Sequence, residues 1–415
     1  MPKYRLMTPG PTEVPEQALL ASARQVRHHR TDEFRRLLGE ALDGLKYVFQ
    51  TAHDVLLLAS SGTGAMEAAV TNLVPRGGKA IVLESGKFSE RWRLICERFG
   101  IQVVRHEVPW GVPFAAQDVA RLLEQHPDAV AVYTTLSESS TGVGHDIEAI
   151  GRVVGPSRAL LVVDAISAAG VMECRTDAWG IDVLVVGSQK GLMAPPGLAF
   201  LAVSPAAWQQ IESIDRQAFY FDLVAYRKAL AEPDTPYTPA ISLVRALVET
   251  LRSIRAVGID QTWTRARMMA RATRAGIEAL GLKLVAARPA DSLTAVYLPE
   301  GVDGKRFLGR LEERFGVKLA GGQGPLKGKI FRIGHFGTVD ELDVLAALAG
   351  IELVLAELGL SVNLGSGVAA ASRVFAEDDI IYRFHVEKKI ESALRAAAAG
   401  EVVPQEEVER RHTAE

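Results

Sequence analysis

The chain is 415 residues long, enough for roughly two to three domains of ordinary size. Apolar residues make up 48% of it and charged residues 23%, a balance that excludes disorder for the bulk of the chain. Lys and Arg total 47 against 50 Asp and Glu, so a net charge of −3 supplies no overall basic field to hold nucleic acid or an anionic membrane. The most apolar stretch, Asp182 to Ser204, is broken by Lys190, Pro195 and Pro196, and falls short of the ~18 residues a spanning helix needs. The start, MPKYRLMTPGPTEVPE, has no apolar region of a secretory signal. Cys96 and Cys174 sit in no CxxC pair and read as buried small hydrophobes of a reducing, cytoplasmic compartment.

The first ~15 residues are rich in proline and glycine and read as an extended arm. VLLLA (55–59) is then a short apolar strand ending in SSGTG, and Ala65 to Leu73 a helix with Met66, Ala69, Val70 and Leu73 on one face. AIVLE (80–84) is a strand and Phe88 to Phe99 a helix. IQVVRH (101–106), AVAVYTT (129–135), ALLVVD (159–164) and DVLVVG (182–187) are further strands, most of them separated by helical segments. Continuous apolar strands alternating with amphipathic helices predict a mainly parallel sheet covered on both faces. After Pro239 the pattern changes. Long helices are expected over Ile241–Val257, Trp263–Leu280 and Asp340–Leu358, with a shorter one over Lys305–Phe315 and strands at Leu293–Leu298 and Ile330–Ile333. This predicts a smaller α+β domain, followed by a charged tail with a helix over Val386–Ala399.

A parallel sheet carries its functional groups at the C-terminal ends of its strands, and three such ends stand out. Ser60-Ser61-Gly62-Thr63-Gly64 lies between strand and helix, where small residues and free helix N–H groups suit a phosphate; a plain glycine turn fits equally well. Asp164 follows four apolar strand residues and wants a cationic partner, unless it caps the next segment. Ser188-Gln189-Lys190 follows VLVVG and precedes GLMAPPG. A lysine in such surroundings has a lowered pKa and can act as a Schiff-base amine, although alone it reads as well as a stem that packs while its head reaches water. Together the three suit pyridoxal phosphate: an amine for the aldehyde, a loop for the phosphate and a carboxylate for the ring nitrogen.

TPGPTEVP (8–15), SSGTGAMEAAV (60–70), ESSTGV (138–143), VDAISAAG (163–170), VVGSQKGLMAPPG (185–197), TPAISL (238–243) and GGQGPLKGKIFRIGH (321–335) follow in order. In these stretches, over about residues 5 to 360, the chain resembles the class V aminotransferases, specifically the alanine–glyoxylate, serine–pyruvate and serine–glyoxylate group. The resemblance implies an α/β, aspartate-aminotransferase-like fold of type I among pyridoxal-phosphate enzymes. It implies an arm over 1–20, a large cofactor-binding domain with a mainly parallel central sheet over 21–255 and a smaller C-terminal α+β domain over 256–370. A helical, charged extension over 371–415 lies outside it. It implies that Lys190 forms the Schiff base, that Asp164 pairs with the pyridine nitrogen, and that Ser61, Gly62 and Thr63 hold the phosphate with Gln189 alongside. Phe88 falls where the family stacks an aromatic ring on the cofactor, Ser139 beside that ring, and Ile166 against its other face. Arg332 matches the arginine that grips the substrate α-carboxylate, and Gly10 a backbone position near the substrate. Thr238, with Tyr237 second, matches a group that reaches the phosphate of the other subunit of a homodimer. Thr63 stands where some relatives carry histidine.

The activity implied is a transaminase that moves the amino group of alanine, serine or glycine to glyoxylate or pyruvate. Three other readings stay open on sequence: a lyase, desulfurase or epimerase using the same cofactor, a nicotinamide-dependent oxidoreductase suggested by the GTG loop, and a non-catalytic binding protein on the same fold. A desulfurase of this superfamily has histidine where Gln189 stands. The nicotinamide fingerprint lacks its third glycine. No HExxH or paired His/Cys spacing points to a metal; the adjacent His28 and His29 read as interface or surface groups, and His335 as a neighbour of the substrate.

Overall fold

A computed structural model describes residues 2–377. The helix expected over Val386–Ala399 and most of the 371–415 extension lie outside the described residues. Seven strands form the main sheet: β1 (Asp54–Ala59), β2 (Lys79–Glu84), β3 (Gln102–Glu107), β4 (Ala131–Thr135), β5 (Leu160–Asp164), β6 (Val183–Gly187) and β7 (Leu198–Val203). Their spatial order is β1-β7-β6-β5-β4-β2-β3. All neighbours are parallel except β7, which runs antiparallel to both β1 and β6.

The two-residue period of a strand explains why the sheet is buried on both sides. In β1, Val55 and Leu57 face one core and Leu56 and Leu58 the other. In β2, Ile81 and Leu83 join the first and Ala80 and Val82 the second. Helices Asp32–Phe49 and Ile241–Val257 cover one face, and Gly62–Leu73 and Ser89–Arg98 the other. The long helix Asp32–Phe49 starts on a Thr31 cap, whose hydroxyl accepts the Phe34 N–H.

A second, antiparallel sheet follows: β8 (Leu293–Tyr297), β9 (Ala320–Gly321) and β10 (Ile330–Gly334), in the order β8-β10-β9. Helices Gly304–Phe315 and Glu341–Glu357 close a separate core around Phe307, Phe331 and Leu348. The amino-terminal arm ties the two parts together. Arg5–Leu6 pairs in parallel with Val317–Lys318, the Gly334 N–H donates to the Met7 carbonyl at 2.7 Å, and the Thr12 N–H donates to the Gln189 carbonyl at 3.2 Å.

Some boundaries differ from the sequence pattern. The helix expected from Ala65 begins at Gly62, because the first helical turn tolerates glycine that a helix interior disfavours. The helix expected from Trp263 begins at Ile259, right after Gly258 ends the preceding one. A short helix, Glu16–Ser22, starts inside the 1–20 arm. The sequence pattern did not foresee β7 at all. Leu201 lies in that strand, fully buried between two neighbours. Leu201→Ala is expected to lower the unfolding free energy by about 2–5 kcal/mol, read from the urea midpoint. A loss under ~1 kcal/mol would contradict the packing of β7.

Candidate active site

The C-terminal ends of β1, β2, β4, β5 and β6 converge on a cavity of about 120 Å³. It is lined by Ser61, Gly62 and Thr63 after β1, Phe88 and Arg91 after β2, and Ser137 and Ser139 after β4. Asp164, Ile166 and Ser167 after β5 and Gln189 and Lys190 after β6 complete it. Nine of the residues singled out from sequence are therefore brought together: Ser61, Gly62, Thr63, Phe88, Ser139, Asp164, Ile166, Gln189 and Lys190.

Asp164 ends the strand in the middle of the sheet and is 3% exposed. Its Oδ1 accepts the Ile166 N–H at 2.8 Å. Burial pushes its carboxyl up to about 7, with Glu138 adding to the rise and Arg91 and Lys190 opposing it. Burial likewise brings the Lys190 amine down to about 8, aided by the charge of Arg332 and opposed by Asp164. The amine donates to the Pro9 carbonyl at 2.5 Å, and the Lys190 carbonyl accepts the Thr12 hydroxyl at 3.2 Å. Gly10 backs this lysine with φ at 106°, and a Cβ there would run into the Lys190 side chain.

Helix Gly62–Leu73 opens at the cavity. Ser61 makes no side-chain cap, and the Gly64 and Ala65 N–H groups turn back to its carbonyl. The N–H groups of Gly62 and Thr63 are left for an anion. A Cβ on Gly62 would collide with Ile166, so glycine lets loop and isoleucine share one wall. The Gln189 Oε1 is buried without a partner, and turning its amide over would present the NH₂ group instead.

Arg332 stands on β10, the central strand of the second sheet, and is 6% exposed. Its Nε donates to the Gly321 carbonyl at 2.9 Å and its Nη1 to the Ser139 carbonyl at 2.7 Å. Burial brings the guanidinium down to about 10, against the pull of Glu138. Both bonds are to neutral carbonyls, which leaves its charge available to a carboxylate.

Glu138, in the ESSTG segment, was not singled out from sequence. Its carboxylate is buried and accepts the Phe88 N–H at 3.1 Å, the Ser89 N–H and hydroxyl at 2.8 and 3.0 Å, and the Ser140 N–H and hydroxyl at 3.1 and 2.6 Å. It fixes the backbone of both Phe88 and the 139–140 loop. Gly86 makes room for it, since a Cβ there would lie 2.6 Å from the Glu138 side chain. Arg91, Ser137 and Ser167 are further lining residues that the sequence reading missed.

Other expectations fall elsewhere. Tyr237 stacks on Tyr220 with ring centroids 4.9 Å apart, Thr238 is exposed, and neither lines the cavity of its own chain. His335 is buried against the Thr294 hydroxyl at 2.9 Å, outside the cavity lining, with burial holding its imidazole down at about 3. His28 and His29 stack on one another near the amino terminus. Among the described residues no group of three or more His, Cys, Asp or Glu could hold a metal ion, and no helix is long and apolar enough to cross a membrane.

Comparison with known proteins agrees with this geometry. Residues 13–328 match the family described as Aminotransferase class-V. The chain belongs to the class-V aminotransferases. It is 44% identical over 380 residues to the soluble hydrogenase small subunit of Synechococcus sp. (strain PCC 6716), covering 90% of this chain and 99% of that one. It is 37% identical over 380 residues to the L-aspartate–glyoxylate aminotransferase of Paracoccus denitrificans, covering 90% and 96%. Among solved structures, the ureidoglycine-glyoxylate aminotransferase of Bacillus subtilis superposes with a TM-score of 0.86 at 30% identity, covering 91% of this chain and 99% of that one. The α/β fold is thus that of pyridoxal-phosphate-dependent aminotransferases.

The cavity of this aminotransferase fits that cofactor. A loop with free N–H groups suits the phosphate, and a buried carboxylate lacking a cation suits a protonated ring nitrogen. A half-buried amine of lowered pKa suits the aldehyde, and the unpartnered Gln189 oxygen marks a polar group still to be met.

The two shifted groups give a pH signature to the cofactor-free protein. The Asp164 carboxyl is raised from 3.8 to about 7, so its contribution to stability is full below 3.8 and is lost as pH rises through about 7. The Lys190 amine is lowered from 10.5 to about 8, so its contribution is full above 10.5 and is lost as pH falls through about 8. Together they are expected to support the fold least between about pH 7 and 8. Thermal midpoints across pH check this. Asp164→Asn should flatten the acid limb and Lys190→Met the alkaline limb, and an unchanged profile in both would contradict the assigned shifts.

Proposed function

We propose that this aminotransferase transfers the amino group of a small amino acid, alanine, serine or glycine, to glyoxylate or pyruvate. The observation that carries the reading is a half-buried Lys190 amine of lowered pKa in one cavity with a buried carboxylate, beside an arginine bonded only to carbonyls. Glyoxylate as acceptor is supported by the Paracoccus denitrificans and Bacillus subtilis relatives, both glyoxylate aminotransferases whose donors differ from one another.

Pyridoxal phosphate, when bound, supplies an aldehyde that condenses with amines and a ring that accepts electrons. The chain supplies the rest. Ser61, Gly62 and Thr63 would hold the phosphate, and Phe88, Ile166 and Ser139, which line the same cavity, would contact the ring. Asp164 would accept a hydrogen bond from the protonated ring nitrogen. Arg332 binds the substrate carboxylate through two parallel bonds and so fixes which C–H bond faces Lys190. With the cofactor bound, the Lys190 amine would take the proton from the substrate α-carbon and would deliver it to the carbon that came from the cofactor's aldehyde. An amine near pKa 8 is partly free base at neutral pH, which is what a general base needs. Gly10 and Pro9 keep this amine at the mouth of the arm.

A desulfurase on this fold needs a reactive thiol. Both cysteines are buried, and burial pushes each thiol up to about 12, away from the thiolate form. Amino donors offered against glyoxylate, pyruvate and 2-oxoglutarate, read by keto-acid formation, test the substrate assignment. Aspartate as the preferred donor would overturn the small-donor reading while leaving transamination intact. Lys190→Ala is expected to reduce turnover by at least about 10²–10⁴ with an unchanged far-ultraviolet circular dichroism spectrum. Arg332→Leu is expected to lower kcat/KM for donor and acceptor alike by about 10–100-fold, the worth of a charge-assisted contact. Near-normal rates in either variant would sink the assignment.

The proposal includes a cytoplasmic homodimer in which Thr238, or Tyr237, of one subunit reaches the phosphate of the other. Its support is an aromatic patch: Phe219 is 85% exposed beside Tyr220, which stacks on Tyr237. Sedimentation should find a dimer, and Phe219→Asp should weaken it. A fully active monomer would contradict the shared site.

A further inference from the structure

A phosphate dianion brings two charges into the cavity, and the loop after β1 meets it with amides and hydroxyls only. Arg91 and Lys190 are the cationic residues of the lining, and Lys190 is committed to the aldehyde end. Resting on the reading of the chain as a pyridoxal-phosphate enzyme, we propose that Arg91 is the counter-cation of the cofactor's phosphate within its own subunit.

Three placements carry this. Arg91 lies in helix Ser89–Arg98, docked by the buried Trp92, whose Nε1 donates to the Thr134 carbonyl at 3.1 Å. From there its Nη1 donates to the Thr63 hydroxyl at 2.9 Å, in the first turn of the helix that opens on the cavity. Its guanidinium carbon lies 5.1 Å from the centre of the Phe88 ring, so the plane is steadied from a second side.

A fourth observation is electrostatic. Two cations close to Arg91 in sequence, Lys87 and Arg93, are neutralised. Lys87 pairs with Glu90, and Arg93 pairs with Glu84, Glu90 and Glu97. Among the described residues no carboxylate pairs with Arg91, whose acceptor here is a neutral hydroxyl. A guanidinium carries five N–H donors, and a bond to Thr63 leaves a fork that matches phosphate oxygens. Thr63 then holds the arginine in place, which accounts for a threonine where some relatives have histidine.

The test separates phosphate from ring. Cofactor-free protein is titrated with pyridoxal phosphate and, in parallel, with pyridoxal, which lacks the phosphate; binding is followed by absorbance and protein fluorescence. Arg91→Met is expected to weaken pyridoxal phosphate binding by about 10–100-fold while leaving pyridoxal affinity within about twofold, and Arg91→Lys should restore most of the loss. Equal weakening of both ligands would mean that Arg91 acts only by supporting the Phe88 ring, and the proposal falls. It falls too if neither affinity moves. Wild-type protein that binds neither ligand sinks the functional reading itself, so the two failures are distinguishable. Thermal midpoints of the cofactor-free variants confirm that each is folded.

Discussion

The site depends on charges kept from water and from ion pairs with one another, where the C-terminal edge of the parallel sheet meets the second sheet. Asp164, Lys190 and Arg332 are each largely removed from water, and none forms an ion pair with another. Burying a charge without a partner is costly, and the cost appears as pKa values drawn toward neutrality from both sides. A preformed salt bridge between Asp164 and Lys190 would relieve that cost and also quench both groups. Here each is held by backbone: Asp164 by the Ile166 N–H, Lys190 by the Pro9 carbonyl, Arg332 by two carbonyls. Backbone groups fix position without cancelling charge, so the electrostatic work is left for the ligands to complete.

Glu138 shows how the sheet and the second sheet are registered to one another. Its carboxylate is solvated by five donors, all from the Phe88–Ser89 turn and Ser140. Those bonds fix the Ser139 carbonyl that receives Arg332, and the Ser137 hydroxyl lies 2.8 Å from that of Ser292 just before β8. A single buried anion thereby positions the Phe88 ring on one side and the Arg332 guanidinium on the other. Its charge reaches further, since it raises the proton affinity of both Asp164 and Arg332.

Much of the fold was legible in the sequence, for a physical reason. Strands buried on both faces are uninterrupted apolar runs, and charged or small residues that follow them mark the sheet's functional edge. Asp164, Lys190 and the Ser61–Thr63 loop stand out in this way. β7 did not, because Leu198–Val203 continues an apolar stretch with no period of its own, and only its antiparallel pairing with β1 and β6 defines it. Gly62 at the start of a helix was hidden for the opposite reason, as glycine argues for a turn. Glu138 and Arg91 were illegible in a deeper sense. Glu138 means nothing until the Phe88 turn folds over it. In SERWRLICER, Arg91 and Arg93 are equivalent by composition, yet Arg93 meets Glu84 and Arg91 meets Thr63.

That last distinction follows from helix geometry. Trp92 is buried against β4, so its two neighbours diverge by about 100° on either side of the buried stripe. One side faces the end of β2 and its buried Glu84, which claims Arg93; the other faces the opening turn of helix Gly62–Leu73, where the nearest acceptor is a hydroxyl. The carboxylates of this region are thus spent on structure at positions 87 and 93, and the cavity keeps one guanidinium whose charge no described carboxylate cancels. The same division runs through the whole site: protein anions neutralise protein cations away from the cavity, and hydrogen bonds without charge hold the cations within it.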